Sequence, residues 1–326
     1  MDIMTTNKPK RQRTELIRDR QGRICLACGK GPVNSFLDLK PQADVKSSWG
    51  VTFESRKIFK CQHCELQFVD SGETNINTND MLYSKTYHDM MAGKLGNDAK
   101  SGVEEQSYKR IRMVKKYISH GRLLDVGCST GIFMEIARKE GYEVSGLDVS
   151  SYACSIARQR LNLGADFIEN ASIADSKVLT DCKYDIITAW DVIEHCKDPL
   201  SDLKRLNSAV GYGKVMIIRT PNADSLFFKI SILLFRLSFG RLRFPLFYLY
   251  HADHRFFFNK KSLTKMLDSS GFKALNFFPD SLLWKRFKYA ECRHGFLIDL
   301  ILTIIYWMGR IFSRGHGLIV IATKKC

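Results

Sequence analysis

Leu123-Leu124-Asp125-Val126-Gly127-Cys128-Ser129-Thr130-Gly131 is the stretch that decides the reading of this chain. An apolar run enters a tight turn, and the turn opens onto a helical pattern with Phe133, Ile136 and Ala137 on one face. Gly127 and Gly131 allow φ values and close backbone approaches that side chains forbid. Asp148 lies 21 residues after Gly127 and ends the next apolar run, Glu143–Leu147. An acid at that distance after a strand–turn–helix unit can accept both ribose hydroxyls of an adenosine cofactor.

Outward from this unit the chain alternates between apolar runs and helical stretches. Ser150 or Ser151 caps a helix through Leu161. Strands are predicted at Asp166–Ile168, Tyr184–Trp190 and Val215–Ile218, with a helix at Asp198–Leu206. The rhythm predicts an α/β fold with a doubly wound parallel sheet. Lys261–Ser270 reads as a helix closed by Gly271, followed by strands at Ala274–Phe278 and Gly317–Ala322. Upstream, Tyr108, Ile111, Val114 and Ile118 mark a helix within 105–119.

The charge pattern selects the cofactor. A dinucleotide loop reads G-x-G-x-x-G and cradles a pyrophosphate at the helix N-terminus. Here Asp125 holds the first glycine position, where a carboxylate would repel a pyrophosphate. S-adenosylmethionine (SAM) carries an ammonium, a sulfonium and a carboxylate instead. Asp125 suits the cation, and the backbone N–H groups near Ser129 suit the carboxylate.

With Gly146-Leu147-Asp148, Tyr184-Asp185-Ile186-Ile187, Asp191-Val192-Ile193-Glu194-His195 and Asp198-Pro199, the loop resembles the class I SAM-dependent methyltransferases. The likeness covers about 120–220 and extends more loosely through His254–Phe258 and the last strand. It implies a Rossmann-like sheet with an antiparallel last strand. It also implies a cofactor site of Asp125, Gly127, Cys128, Ser129, Gly131, Asp148 and Val149. Ala171 and Ser172 would lie near the adenine, and Trp190 would face the sulfonium with Asp191.

The sulfonium is already activated, so transfer needs mainly alignment, and a hydroxyl acceptor gains from a general base. His195 is the first candidate, with Asp191 four residues earlier to orient it on a helix, and His254 is the second. Tyr83 and Tyr87 are candidates to cover the cofactor. The aromatic loops used by many enzymes that methylate the exocyclic amines of bases are missing after the fourth strand. Ala189-Trp190-Asp191-Val192 stands there instead.

Cys25-x-x-Cys28 and Cys61-x-x-Cys64 offer four thiolates to one structural, tetrahedral zinc. His63 is not counted as a ligand, and the remaining six cysteines show no ligand spacing. The arrangement resembles bacterial methyltransferases with an N-terminal zinc ribbon that act on sugars, polysaccharides or secondary metabolites. Residues 1–23 read as a disordered basic tail, 24–80 as the ribbon and its linker, and 81–326 as the methyltransferase domain. Strand-like runs in the ribbon include Val51–Phe53 and Leu66–Val69.

Two apolar insertions interrupt the large domain, at about 223–250 and 282–313. The first carries Lys229, Arg236, Arg241 and Arg243 among aromatic residues. Either both insertions pack together, or against a second subunit, and roof the acceptor pocket, or they touch an anionic membrane surface. Ubiquinone-type O-methyltransferases resemble this chain in having a membrane-contacting insertion after the fifth strand.

A net charge of +16 favours an anionic partner. No secretory signal or spanning segment is read from the sequence, which suits a cytoplasmic, reducing location, at or near the inner face of a membrane. The expected acceptor is a small-molecule hydroxyl, on a sugar or a lipid-linked glycan precursor. The alternatives are an RNA methyltransferase and a non-catalytic SAM-binding or partner-binding protein of the same fold.

Overall fold

Apolar runs that the sequence places in strands become a buried sheet, because parallel strands covered on both faces need nearly continuous hydrophobic residues. The computed structural model describes residues 18–19, 22–40, 55–69, 97–179, 184–251, 253–280, 303–305, 307–309, 311–312 and 314–325. In chain order the N-terminal elements are β1 (Arg18–Asp19), β2 (Gly22–Arg23), β3 (Val33–Leu39), β4 (Arg56–Cys61) and β5 (Gln67–Val69). α1 (Asn97–Lys115), β6 (Gly121–Val126), α2 (Ile132–Lys139), β7 (Tyr142–Asp148), α3 (Ser151–Leu161) and β8 (Ile168–Asn170) follow. The chain continues through β9 (Tyr184–Trp190), α4 (Pro199–Ala209), β10 (Val210–Pro221), α5 (Leu226–Leu237) and α6 (Phe244–Leu249). It closes with β11 (Phe256–Phe257), α7 (Lys260–Ser269), β12 (Phe272–Asp280) and β13 (Gly317–Lys324).

The large sheet runs in the order β12-β13-β10-β9-β6-β7-β8. β8, β7, β6, β9 and β10 pair in parallel, and β13 inserts antiparallel between β10 and β12. One face packs under α1, α2 and α3 through Ile111, Phe133, Ile136 and Ala157; the other packs under α4 and α7 through Leu203, Leu206, Leu263 and Met266. Strand order reverses between β6 and β9, the point where such sheets open a crevice at their C-terminal edge. Ser150 caps α3 by accepting the Ala153 N–H at 3.2 Å. The strand predicted at Asp166–Ile168 starts later. A turn on Gly164, whose carbonyl accepts the Phe167 and Ile168 N–H groups, occupies the residues before Ile168.

The N-terminal module does not stand apart from the large domain. Its sheet has the order β11-β5-β4-β3, so Phe256–Phe257 supplies an edge strand from the far half of the chain. Arg56 donates to the carbonyls of Tyr250 and His251, and the Tyr250 hydroxyl donates to Gln67. Cys25, Cys61, Leu66 and Phe68 share one core with Leu124, Ile187 and Leu263. Within the expected disordered tail, β1 and β2 pair as a short antiparallel hairpin. Val51–Phe53, the 71–80 linker, Tyr83 and Tyr87 lie outside the described residues.

The first insertion folds onto the small sheet. Phe228 of α5 and Leu246 and Phe247 of α6 pack with Leu37, Leu39 and Ile58. Its other face stays apolar and open: Leu233, Leu237 and Leu242 are exposed, and Phe239 is 94% exposed. Of the second insertion, Ile304, Trp307, Met308, Ile311 and Phe312 are exposed, and all of 282–302 lies outside the described residues. Among the described residues no helix is long and apolar enough to cross a membrane.

Candidate active site

Two buried carboxylates lie at the ends of adjacent strands. Asp125 is the penultimate residue of β6 and Asp148 the last of β7. Asp125 accepts the Thr188 hydroxyl at 2.7 Å. Burial pushes its carboxyl up to about 7, against the pull of Thr188 and the Arg110 charge. Asp148 accepts the Ser129 N–H and the Ser150 N–H, each at 2.8 Å, and so ties the glycine loop to the start of α3.

The loop between them has positive φ at Gly127 (72°), Ser129 (48°) and Gly131 (77°). The glycines are required by neighbouring protein. A Cβ on Gly127 would lie 2.6 Å from a Val192 methyl, and one on Gly131 would lie 3.0 Å from the Ala157 Cβ. The Gly127 and Cys128 N–H groups both donate to the Leu147 carbonyl, and the Gly131 N–H donates to Cys128. With Ser129 held by Asp148, four loop N–H groups are spoken for. They do not point at a ligand carboxylate as the sequence suggested. Cys128 itself is buried in the core.

Around this loop, Val149 is exposed and Ala171 donates its N–H to the Asp148 carbonyl at 3.1 Å. The Ser172 hydroxyl turns to Asp175 at 2.5 Å. Trp190 ends β9, meets Phe133 edge to face at 5.5 Å, and lies under the Arg110 guanidinium at 4.5 Å. Its indole N–H has no partner among the described residues.

Asp191 does not orient His195. Residues 191–195 form a turn instead of a helix, and Asp191 takes φ 61°. Its carboxylate pairs with Arg219 and lies 3.6 Å from Arg110, while Arg219 donates to Asp280 at 2.9 Å. The acid facing His195 is Asp253. Its carboxylate is 3.5 Å from His195 Nδ1 and its carbonyl 3.2 Å from the same atom, and it also bonds His251. Burial would raise the Asp253 carboxyl, but its interactions with His254, His251 and His195, including the hydrogen bond to His251, outweigh it and hold it well below its ordinary value. Burial lowers His195 despite Asp253, so the imidazole is neutral near pH 7.

His254 packs edge to face on His195 at 4.7 Å, and burial drops it far below the usual range. Its Nδ1 has no partner among the described residues. Glu194 is fully buried beside them, and burial pushes it up to about 8 against the pull of the Thr220 hydroxyl. Sequence reasoning missed Asp253, Arg219, Arg110 and Glu194. The one available signal was His251-Ala252-Asp253-His254, two imidazoles flanking an acid before a phenylalanine run.

A family model described as a methyltransferase domain matches residues 104–276. The chain belongs to the methyltransferase-domain family. Its sheet, with the antiparallel β13, is that of a class I SAM-dependent methyltransferase. The chain is 30% identical over 151 residues to the ubiquinone biosynthesis O-methyltransferase of Aliivibrio fischeri, covering 46% of this chain and 62% of that one. The Vibrio parahaemolyticus protein of the same name is 32% identical over 105 residues, covering 32% and 45%. The chain thus spans about half of the curated relatives it matches. Phosphoethanolamine N-methyltransferase 2 of Haemonchus contortus superposes with a TM-score of 0.50 at 16% identity, over 80% of this chain and 62% of that one, a likeness of fold alone.

In the small module, Cys25 and Cys64 Sγ atoms are 3.4 Å apart, and Cys28 and Cys61 are 3.7 Å apart. Disulfide sulfurs lie at about 2.05 Å. A tetrahedron of Zn–S bonds near 2.3 Å has edges of roughly 3.8 Å, which the spacing matches. The two turns repeat one design. The first cysteine donates its N–H to the residue five later and accepts from the residue four later, Gly29 or Glu65, each with positive φ. His63 is exposed and lies outside this group.

Proposed function

We propose that the methyltransferase moves the methyl group of SAM to a hydroxyl of a small-molecule acceptor. The observation that carries this reading is the juxtaposition, at one strand-end crevice, of the Asp125–Asp148 loop and a neutral His195 backed by Asp253. The O-methyltransferase names of the partial relatives support the acceptor class. A carboxylate oxygen can accept two hydrogen bonds, so Asp148 serves both the loop and a ribose. Gly127, Cys128, Ser129 and Gly131 form the floor, Val149, Ala171 and Ser172 flank the adenine, and Asp125 and Trp190 face the cationic end. Arg110, over Trp190, is the cation placed to meet the cofactor carboxylate.

When bound, SAM supplies an electrophilic methyl group on a sulfonium. With SAM bound, His195 would take the acceptor hydroxyl's proton on Nε2 as the methyl group passes from the sulfonium to that oxygen. Asp253 holds the ring by Nδ1 and stabilises the imidazolium that results. His254 packs the imidazole from the side. Asp191 serves through the Arg219 and Arg110 pairs that brace the strand ends.

The finer reading is an acceptor on a sugar or lipid-linked glycan, met at a membrane surface. It is supported by the exposed Leu233, Leu237, Phe239 and Leu242 near Arg241. Cys25, Cys28, Cys61 and Cys64 would hold a structural zinc. Incubating the protein with methyl-labelled SAM and lipid, glycan and RNA extracts tests the function. A base-stable methyl ether in the lipid or glycan fraction is expected; label released by base as from a methyl ester is not. Label confined to RNA, or failure to bind SAM by calorimetry, sinks the proposal.

A further inference from the structure

We infer that a hollow beside the acceptor end of the crevice binds the phosphate or pyrophosphate group of the methyl acceptor. It is a cavity of about 360 Å³ walled by Lys229, Lys260 and Arg314 together with Phe277, Phe278 and Phe312. Three cations share it with one acid, Asp224, which lies 3.5 Å from Lys229. Lys260 Nζ stands over the Phe277 ring at 5.3 Å. Neither Lys260 nor Arg314 has a carboxylate within ion-pair distance among the described residues. Three cations balanced by a single carboxylate raise the local potential, and a multiply charged anion relieves it. The phenylalanine rings suit the apolar flank of such a ligand.

The placement connects the hollow to the crevice. Pro279 and Leu318 face each other across β12 and β13, and the neighbouring Gly317 faces Pro221, the last residue of β10. The hollow therefore opens at the C-terminal edge of the sheet. Strands lie about 4.8 Å apart, so β12 is roughly 10 Å from β10 and roughly 15 Å from β9, which carries Trp190. One sugar ring and a pyrophosphate span that reach. The inference rests on the acceptor lying over His195 and names what its far end carries. Nucleotide-linked and lipid-linked glycans share the pyrophosphate, so the chemistry is common to both sources.

The test titrates the full chain with inorganic pyrophosphate by calorimetry at constant ionic strength. Saturable binding is expected, weakened at least about tenfold in K260Q/R314Q by loss of charge-assisted contacts. K109Q/K204Q, which loses the same charge from two exposed lysines, is expected to bind as the parent does. No saturable binding, or equal weakening in both pairs, overturns the inference. SAM calorimetry on the same variants checks that they fold; if the pair loses SAM binding, K260Q alone takes its place. Sedimentation with phosphatidylcholine vesicles, with and without phosphatidic acid, separates the sources. Phosphatidic-acid-dependent pelleting that requires Lys260 and Arg314 assigns a lipid-borne phosphate. Pyrophosphate binding without it assigns a water-soluble one. A chain that binds pyrophosphate but not SAM defeats the proposed methyl transfer and leaves this site standing.

Discussion

The two halves of the strand-end crevice are built in opposite ways. The proposed cofactor side draws Asp125, Gly127, Ser129, Gly131, Asp148 and Ala171 from one contiguous stretch, and its contacts run between neighbouring strand ends. The proposed acceptor side gathers His195, Arg219, Asp253 and Asp280 from four separate elements or loops, and leans on a sheet begun near the N-terminus. Local rules govern the first. Long-range packing governs the second, so damage far away reaches it.

The largest expected effect separates the halves through the cysteine cluster. Cys25→Ser with Cys64→Ser, or treatment with a strong chelator, should release the proposed zinc and abolish methyl transfer, because metal binding supplies on the order of 10 kcal/mol in small zinc modules. SAM affinity should fall far less than transfer. Parallel loss of both, followed by calorimetry and label transfer, would break the comparison. Asp148→Ala strikes the cofactor side instead. With two charge-assisted bonds of ~1.5 kcal/mol each at stake, SAM affinity should weaken about a hundredfold; unchanged affinity refutes the ribose assignment.

Asp253→Asn addresses the acceptor side alone. SAM affinity should hold, and kcat should fall about tenfold to a hundredfold as the base loses its support. Since the Asp253 charge raises His195, its removal should also move the acid limb of the pH–rate profile to lower pH. A lower rate with an unmoved limb would mean that Asp253 only packs.

Smaller effects come from one buried acid on each side. Asp125 sits near 7 without cofactor, and a cation prefers the carboxylate. SAM affinity should therefore weaken as pH drops below about 7 in the parent and stay flat in Asp125→Asn. Glu194 has a folded value near 8, above its ordinary 4.5. The neutral acid is the stabilised form, so its contribution is full below 4.5 and is lost as pH rises through about 8. Thermal melts should decline across that window in the parent and less so in Glu194→Gln.

The same contrast explains what could be read in the amino-acid order. The strands β6, β7, β9 and β10, the Asp148 position and the four-cysteine group all follow from periodicity and spacing, since each is specified within a short window. The glycines have the positive φ values that the sequence reading allows for, but the neighbours that also demand them, Val192 and Ala157, show in no local pattern. The His195 partner was misassigned. Spacing offered Asp191 at four residues, but a positive φ at Asp191 breaks the helical register and Arg219 captures the carboxylate. Asp253 reaches His195 only after the chain has traversed β10, α5 and α6. The shared edge strand at Phe256–Phe257 was invisible for the same reason: two residues carry no periodicity.

That shared strand also sets an order of events during synthesis. β3, β4 and β5 leave the ribosome early, yet the partner of β5 is encoded some 190 residues later, between Val69 and Phe256. At translation speeds of about 5–20 residues per second, the open edge of β5 waits on the order of ten to forty seconds for its neighbour. An unpaired edge carrying Gln67, Phe68 and Val69 is a template for intermolecular pairing during that interval. Expression yield should therefore respond to translation rate and temperature through the N-terminal sheet, even when the finished protein is stable.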